Sequence, residues 1–115
     1  MFSDLTNFAD ILCRLIREEE PPRLQAVLRM AEAKLKSQNE LTEAMLEPMW
    51  SVAAALCEQL SNQSADVRKN VVFGLVEVRL TVGPEMFTDH VMPQLNPSQQ
   101  KLVDIYIKRK KIQQS

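Results

Sequence analysis

The sequence predicts an all-α domain, and three observations support that prediction. The chain has 115 residues and is rich in Leu, Ala, Glu, Lys, Gln and Met, which are good helix formers. Only two glycines occur, whereas sandwiches, barrels and phosphate-binding loops need more backbone freedom. Apolar residues recur at helical spacing in several segments, which polar or proline-containing turns separate. A chain of this length suits a single domain.

The first two predicted helices lie on either side of an acidic, proline-containing turn. The first runs from about Asp4 to Arg17 and stops at Glu18–Pro22. The second starts at Pro22, whose missing N–H costs nothing in a first helical turn, and it runs to about Ser37. It carries a main apolar stripe and a smaller second one. The main stripe holds Leu24, Val27, Leu28, Ala31 and Leu35, and the second holds Ala26, Met30 and Ala33.

A third helical region follows, with Asn39 as its candidate cap and Thr42 in its first turn. Pro48 interrupts this region, so either one long helix is kinked there or a new helix begins at Pro48. The apolar stripe continues beyond the proline over Met49, Val52, Ala53, Leu56 and Leu60.

The fourth predicted helix runs from the cap Ser64 to Val82 and is apolar on two faces. On a wheel of roughly 100° per residue, two nearly opposite stripes appear. A helix with one apolar stripe covers the outside of a core, so two stripes indicate an inner helix between neighbours. The polar edge is assigned to Asn70, Glu77 and Thr81. The stripes are Val67, Val71, Leu75, Val78 and Val82, and Val72, Phe73, Val76 and Leu80.

The remaining segment predicts a short helix and a final long one. Gly83 and Pro84 end the fourth helix, with glycine at the left-handed position and proline just beyond it. A short helix follows over about Glu85–Met92. Asn96 caps the last helix, which runs to about Lys111. Its expected buried stripe is Leu102, Ile105, Tyr106 and Ile112.

Helix pairs thus recur about every 40 residues, which is the period of HEAT and armadillo arrays. This spacing predicts a HEAT-repeat α-solenoid of two to three helical hairpins, with a plain helical bundle as the alternative. Two to three hairpins are near the minimum for a stable stack. We therefore expect residues 1–115 to form a single HEAT-like array that belongs to a longer one. The sequence gives the least information about the position of residues 1–22 in that array.

Composition argues against several classes of function. Fourteen basic and fifteen acidic residues give a net charge of −1, which predicts no nucleic-acid partner. No apolar run is long enough for membrane insertion, and no secretion signal is visible, so we expect an intracellular protein. Cys13 and Cys57 fall on apolar helical positions, which favours buried thiols over a disulfide. His90 is the single histidine, and an ordinary surface role suits it better than catalysis. The expectation is a protein without cofactor, metal or enzymatic activity.

Two motifs resemble a known family. These are Val67-Arg-Lys-Asn-Val-Val-Phe-Gly-Leu-Val-Glu-Val78 and, further on, Lys101-Leu-Val-Asp-Ile-Tyr-Ile-Lys-Arg109. In this order they resemble the extreme C-terminus of CLASP proteins, the cytoplasmic-linker-associated microtubule regulators. Leu46-Glu-Pro-Met49 is similar to the Leu-x-Pro that precedes this unit in the family. The resemblance covers roughly residues 41–109 and is weak before Pro22.

The resemblance implies a fold and a function. The fold is a TOG-like HEAT array, of which this chain is the C-terminal half. The function is a protein-interaction module of a microtubule-stabilising factor, found in the cytoplasm and on the cytoskeleton at plus ends, spindle and kinetochore during mitosis and cell division. The implied partners are cytoskeletal linker, kinetochore or cortical adaptor proteins. Direct binding of tubulin by a TOG-type domain and self-association are the alternatives.

Seven residues are candidates for partner binding. Arg68 and Lys69 lie in the first turn after the Ser64 loop, where TOG-like arrays contact partners; Arg68 alternatively bonds to Asp66 or a neighbouring turn. Trp50, the only tryptophan, either anchors a partner or packs between helices. The last helix carries cations that either contact an acidic partner or only complement the helix dipole. These are Lys101, Lys108, Arg109 and Lys111.

Overall fold

The computed structural model describes residues 5–38 and 41–114, and this part of the chain is all-helical, without strands. It contains six α-helices and two short 3₁₀ turns. The predicted cap Asn39 and the predicted helix start at Asp4 lie outside the described residues. The helices are α1 (Leu5–Glu18), α2 (Arg23–Lys36), α3 (Glu43–Glu58), α4 (Ala65–Val82), α5 (Pro84–His90) and α6 (Pro97–Gln114); the 3₁₀ turns are Gln59–Ser61 and Met92–Gln94.

Pro48 lies inside α3, and the helix runs through it without a break. The alternative of a new helix beginning at Pro48 is therefore wrong. Proline removes only the one backbone hydrogen bond that an N–H at position 48 would donate to Ala44 O, and the helix continues through it. Thr42 is the N-cap residue in extended conformation, one position before the first turn, and its side chain makes no capping hydrogen bond.

Helix α4 begins and ends as its sequence predicts. The backbone N–H of Val67 donates to Ser64 Oγ at 3.3 Å, so Ser64 is the N-cap. Gly83 has φ of 90°, and its N–H donates to Arg79 O, which ends the helix. Both predicted stripes are largely buried, including Val67, Val71 and Val76. The helix is therefore an inner one.

The helices pack in two layers. In one layer α2 packs along α4, and α6 packs on the other side of α4. In the second layer α1 packs along α3, so the α1–α2 pair lies on the α3–α4 pair. The neighbour that contacts α4 most extensively is α2, in addition to the α3 and α6 neighbours that the sequence predicts. This arrangement is consistent with an α-solenoid.

The contact between α3 and α4 depends on Gly74. A Cβ atom added at Gly74 would lie 3.1 Å from Leu56 Cδ1, which is tighter than ordinary van der Waals contact. The glycine therefore lets the two helices approach closely at the centre of the core.

The predicted buried stripe of α6 is wrong. Val103 and Ile107 are buried, whereas Leu102, Ile105 and Ile112 are exposed and only Tyr106 is half-buried. The helix has two apolar rows on nearly opposite sides, and the row of Val103 and Ile107 is the one that packs on α4. The second stripe of α2 differs in the same way, since Ala26, Met30 and Ala33 are all exposed.

Glu77 also departs from its predicted place on a polar edge. It is 5% exposed, and its carboxylate lies 3.6 Å from Lys110 Nζ of α6. Burial of a carboxylate is tolerated when a cation accompanies it. The pair therefore joins α4 to α6 through charge as well as through apolar contact.

The two cysteines are buried and free, as the composition predicts for structural thiols. Burial raises the pKa of the Cys57 thiol to about 12 and also raises the pKa of Cys13. Among the described residues, no helix is long and apolar enough to cross a membrane.

Candidate functional site

The structure places the seven predicted residues in different surroundings. Lys69 and Arg109 line the same groove, where α2, α4 and α6 meet. Lys101, Lys108 and Lys111 are exposed on α6. Trp50 and Arg68 make contacts of their own, described below. Spacing along the chain did not predict that Lys69 and Arg109 would meet, because they come from separate helices.

The groove is an open cavity of about 450 Å³. A second cavity of about 400 Å³ adjoins it and shares Lys69 and Phe73. The two adjacent cavities along α4 are together called here the α4 groove. Its first part is lined by Glu32, Lys69, Phe73, Val76, Glu77, Tyr106, Arg109 and Lys110. Its second part adds Pro22, Gln25, Arg29, Asp66 and Asn70.

An aromatic pair lines the α4 groove. The rings of Phe73 and Tyr106 meet edge to face, with centroids 5.7 Å apart and planes at 75°. This geometry is favourable because the positive edge of one ring meets the negative face of the other. Both side chains remain half-buried, so they present apolar surface to the groove as well as closing the α4–α6 contact.

Cations lie beside both rings. Lys69 Nζ is 5.8 Å from the centroid of Phe73, and the guanidinium carbon of Arg109 is 5.3 Å from that of Tyr106. Such cation–π contacts orient the side chains while leaving their N–H donors free for an anion. Both residues are exposed. The arrangement can hold a carboxylate beside an apolar side chain, which is what an acidic segment of a protein offers.

The groove also contains carboxylates, but one of them is already neutralised. Glu77 pairs with Lys110 at 3.6 Å. The first part of the groove is lined by three cations and two carboxylates, so it carries one positive charge in excess. The cations are Lys69, Arg109 and Lys110, and the carboxylates are Glu32 and Glu77. The excess favours an acidic ligand modestly and makes its binding sensitive to salt.

Arg68 has a structural contact. Its Nη1 donates to the backbone oxygen of Asn62 at 2.6 Å, which closes the loop before α4. This matches the alternative in which Arg68 bonds to a neighbouring turn, and the partner is that turn rather than Asp66. The side chain is half-buried and does not line the first part of the groove.

Trp50 stacks on the single histidine. Its ring lies 4.3 Å from that of His90, with 13° between the planes. Trp50 is half-buried on α3, and His90 is exposed at the end of α5. From the sequence, Trp50 and His90 were assigned separate roles, and their contact was not predicted. The stack lies on helices that do not line the α4 groove.

Sequence reasoning also missed Tyr106 and Phe73 as site residues, because both were assigned to buried stripes. A partial signal existed, since each lies next to a predicted cation on its own helix face. Their meeting across α4 and α6 is a tertiary contact that no local pattern reveals.

The side chains available for chemistry are few. Within residues 5–38 and 41–114, no three His, Cys, Asp or Glu side chains lie close enough together to hold a metal ion. The two thiols are buried with raised pKa values, so little thiolate forms near neutral pH. The one feature that brings several predicted residues together is the charged, aromatic groove, which defines a helical protein with a candidate protein-binding surface.

Comparison with known proteins gives one further observation. No family model matches the chain. Over 67 residues, which are 58% of the chain, it is 37% identical to a CLIP-associated protein of Arabidopsis thaliana. The chain spans about 4% of the length of that relative. The similarity supports a relation to CLIP-associated proteins at the level of this segment.

Proposed function

We propose that this chain is a protein-interaction module of a CLASP-type microtubule regulator and that it docks partner proteins. The observation that carries the proposal is the 37% identity over 67 residues to a CLIP-associated protein. A TOG-like stack of HEAT repeats and a place at plus ends, spindle or kinetochore belong to the same proposal. The chain acts through binding and catalyses no reaction.

The α4 groove is the surface where we place this docking. It combines a half-buried aromatic pair with two cations that come from different helices, so it exists only in the folded stack. Aromatic residues and arginine are the residue types that most often anchor protein interfaces. The partner segment then contributes an acidic residue toward Lys69 and Arg109 and an apolar one toward Phe73 and Tyr106.

Binding to a purified cytoplasmic linker protein tests the proposal, with Lys69→Glu as the groove variant. Arg14→Glu on α1 is the matched control, because Arg14 is equally exposed and lies outside the α4 groove. We expect Lys69→Glu to weaken binding about fivefold at low salt and Arg14→Glu to leave it unchanged. Failure of the wild-type chain to bind the linker protein contradicts the proposal.

Direct binding of tubulin is the second candidate, favoured by the exposed cation Lys69 in the first part of α4. Gel filtration of the chain with tubulin at low salt distinguishes the two. Co-elution that Lys69→Glu abolishes supports this candidate, and separate elution excludes it without affecting linker binding.

Self-association is the third candidate, favoured by the exposed apolar residues Ile11 and Met30. Ile11 lies on α1 and Met30 on α2, and the contact of Lys34 with the Phe8 ring joins these two helices. Light scattering at high concentration decides: a dimer that Met30→Glu dissociates supports self-association, and a monomer excludes it.

A further inference from the structure

Helix α6 exposes a row of apolar residues on the side turned away from Val103 and Ile107. Leu102, Ile105 and Ile112 are 38%, 42% and 75% exposed. With Arg109 they are spaced three, four and three residues apart, which places all four on one face. This row, Leu102, Ile105, Arg109 and Ile112, is called here the α6 seam.

The spacing of the α6 seam is that of a helix that packs against another helix. Apolar residues at alternating intervals of three and four form the knobs of helix–helix packing. Val103 and Ile107 are buried where α6 packs on α4, and the seam lies on the opposite side of the helix. From Leu102 to Ile112 the seam extends about 15 Å, which is about three turns of a partner helix.

The charges beside the seam indicate the chemistry of that partner. Lys101 and Lys108 each directly precede a seam residue, in the flanking positions where coiled coils place charges that select a partner. In the described part of the chain, neither lysine takes part in an ion pair. Arg109 adds a third cation within the seam itself. A partner with carboxylates along one flank of its apolar row complements this pattern.

A second copy of this chain fits the seam poorly. In a parallel pair, Arg109 of one copy faces Arg109 of the other. In an antiparallel pair, the flanking lysines of the two copies face each other. Like charges in these positions oppose association. The charge pattern therefore favours a different chain over self-pairing.

We infer that the α6 seam binds an acidic amphipathic helix of a partner protein. The partner helix presents apolar residues to Leu102, Ile105 and Ile112 and carboxylates to Lys101, Lys108 and Arg109. This inference rests on the proposed function, because it names an adjoining surface of the same interaction module, which shares Arg109 with the α4 groove, and the chemistry of what binds there.

Two labelled synthetic peptides test the inference. Both have three heptads with leucine at the apolar positions, and the flanking positions are all Glu in the acidic peptide and all Lys in the basic one. Like flanking charges keep each peptide from pairing with itself. Fluorescence anisotropy with the 115-residue chain measures binding. We expect the acidic peptide to bind at least about tenfold more tightly than the basic one. Equal affinities overturn the inference.

Single variants then locate the binding surface. We expect Leu102→Glu and Ile105→Glu each to weaken binding of the acidic peptide by about tenfold. Ile11→Glu on α1 is the matched control, because Ile11 is an equally apolar, exposed residue outside the seam. It is expected to leave binding unchanged. If Ile11→Glu and Ile105→Glu reduce binding equally, the peptide binds apolar surface without preference and the inference is wrong.

Charge reversal provides a test that does not depend on apolar substitutions. The double variant Lys101→Glu/Lys108→Glu is expected to lose the acidic peptide and to bind the basic one instead. Such a switch cannot arise from unfolding, which helicity by circular dichroism also checks. If the double variant keeps its preference for the acidic peptide, or if the wild-type chain forms a dimer that Ile105→Glu dissociates, the inference is overturned.

The variant Lys69→Glu separates this inference from the proposed function. Lys69 lies in the α4 groove and outside the seam, so peptide binding is expected to stay unchanged. Binding of the acidic peptide without binding of a linker protein contradicts the proposed function alone. If a linker protein binds wild type and Ile105→Glu equally well and the acidic peptide does not bind, only the inference about the α6 seam is contradicted.

Discussion

Helices α4 and α6 each have 18 residues and lie side by side, yet the protein uses their apolar residues differently. In α4 both apolar stripes are largely buried, because α2, α3 and α6 surround the helix. In α6 only Val103 and Ile107 are buried apolar residues, and a second row remains at the surface. Apolar periodicity thus shows which sides of a helix can pack against a neighbour, and not which of them are covered in this chain.

The largest expected effect tests the buried side of this comparison. Leu75→Ala removes a fully buried side chain from the centre of α4 and leaves a cavity. We expect a loss of about 3 kcal/mol in the free energy of unfolding. Leu102→Ala in the α6 seam is expected to cost less than about 1 kcal/mol, because the side chain is already partly hydrated. Urea denaturation measures both, and equal losses would remove the distinction between the two helices.

The next effect concerns the charge that joins the two helices. Lys110→Met removes the cation beside Glu77, which is nearly buried. We expect a loss of about 2 kcal/mol, since an unpaired buried carboxylate is costly, with a discount because Lys110 is partly exposed. Adding Glu77→Gln to Lys110→Met is expected to recover most of the loss. If the double variant is as unstable as the sum of the single ones, the pair is not coupled.

A smaller effect compares how the two helices begin. In α6 the Gln99 N–H donates to Asn96 Oδ1 at 2.8 Å, and the Asn96 N–H donates to Gln99 Oε1 at 3.0 Å. This reciprocal pair is a capping box, whereas Ser64 makes one longer bond at the start of α4. We expect Asn96→Ala to cost about 1 kcal/mol and Ser64→Ala somewhat less. Thr42→Ala, which removes no capping bond from α3, is the control in thermal unfolding.

The smallest expected effect concerns an exposed ion pair, which can be compared with the buried pair of Glu77 and Lys110. Arg17 Nη2 of α1 lies 2.8 Å from Glu58 Oε2 of α3, and both side chains are about half exposed. The hydrogen bond from Arg17 lowers the pKa of Glu58 below its usual value of 4.5. The stabilisation is therefore complete above about pH 5 and is lost as pH falls through the lowered pKa.

Solvent screening limits this stabilisation to about 0.5 kcal/mol. The stability difference between wild type and Glu58→Gln, followed from pH 7 to pH 3, measures it. We expect the difference to shrink with falling pH. A difference that grows toward acid pH would contradict the assignment.

The parts of the fold that the sequence predicted correctly depend on interactions between residues that are close together in the chain. Ser64 and Gly83 mark the ends of α4 through a capping bond and a positive φ, and both signals lie within the helix's own segment. The buried faces of α4 follow from its two stripes, because two nearly opposite sides of that helix are apolar.

The parts that the sequence missed depend on contacts between distant segments. Leu102 and Val103 are both apolar and adjacent, so periodicity alone could not decide which row of α6 faces α4. Phe73 and Tyr106 meet only because that choice turns Tyr106 toward the groove. Of the candidate site, the cations Lys69 and Arg109 were predicted singly, but their shared groove required the packed structure.

The two buried thiols make the layer of α1 and α3 open to direct kinetic study. A thiol whose pKa is near 12 gives almost no thiolate at neutral pH, so a maleimide or disulfide reagent cannot modify Cys57 while the helices stay packed. Any modification must then pass through a transient opening of the core. The rate at which Cys13 and Cys57 become labelled, each measured in a variant that retains only that thiol, therefore reports how often the packing around each thiol opens.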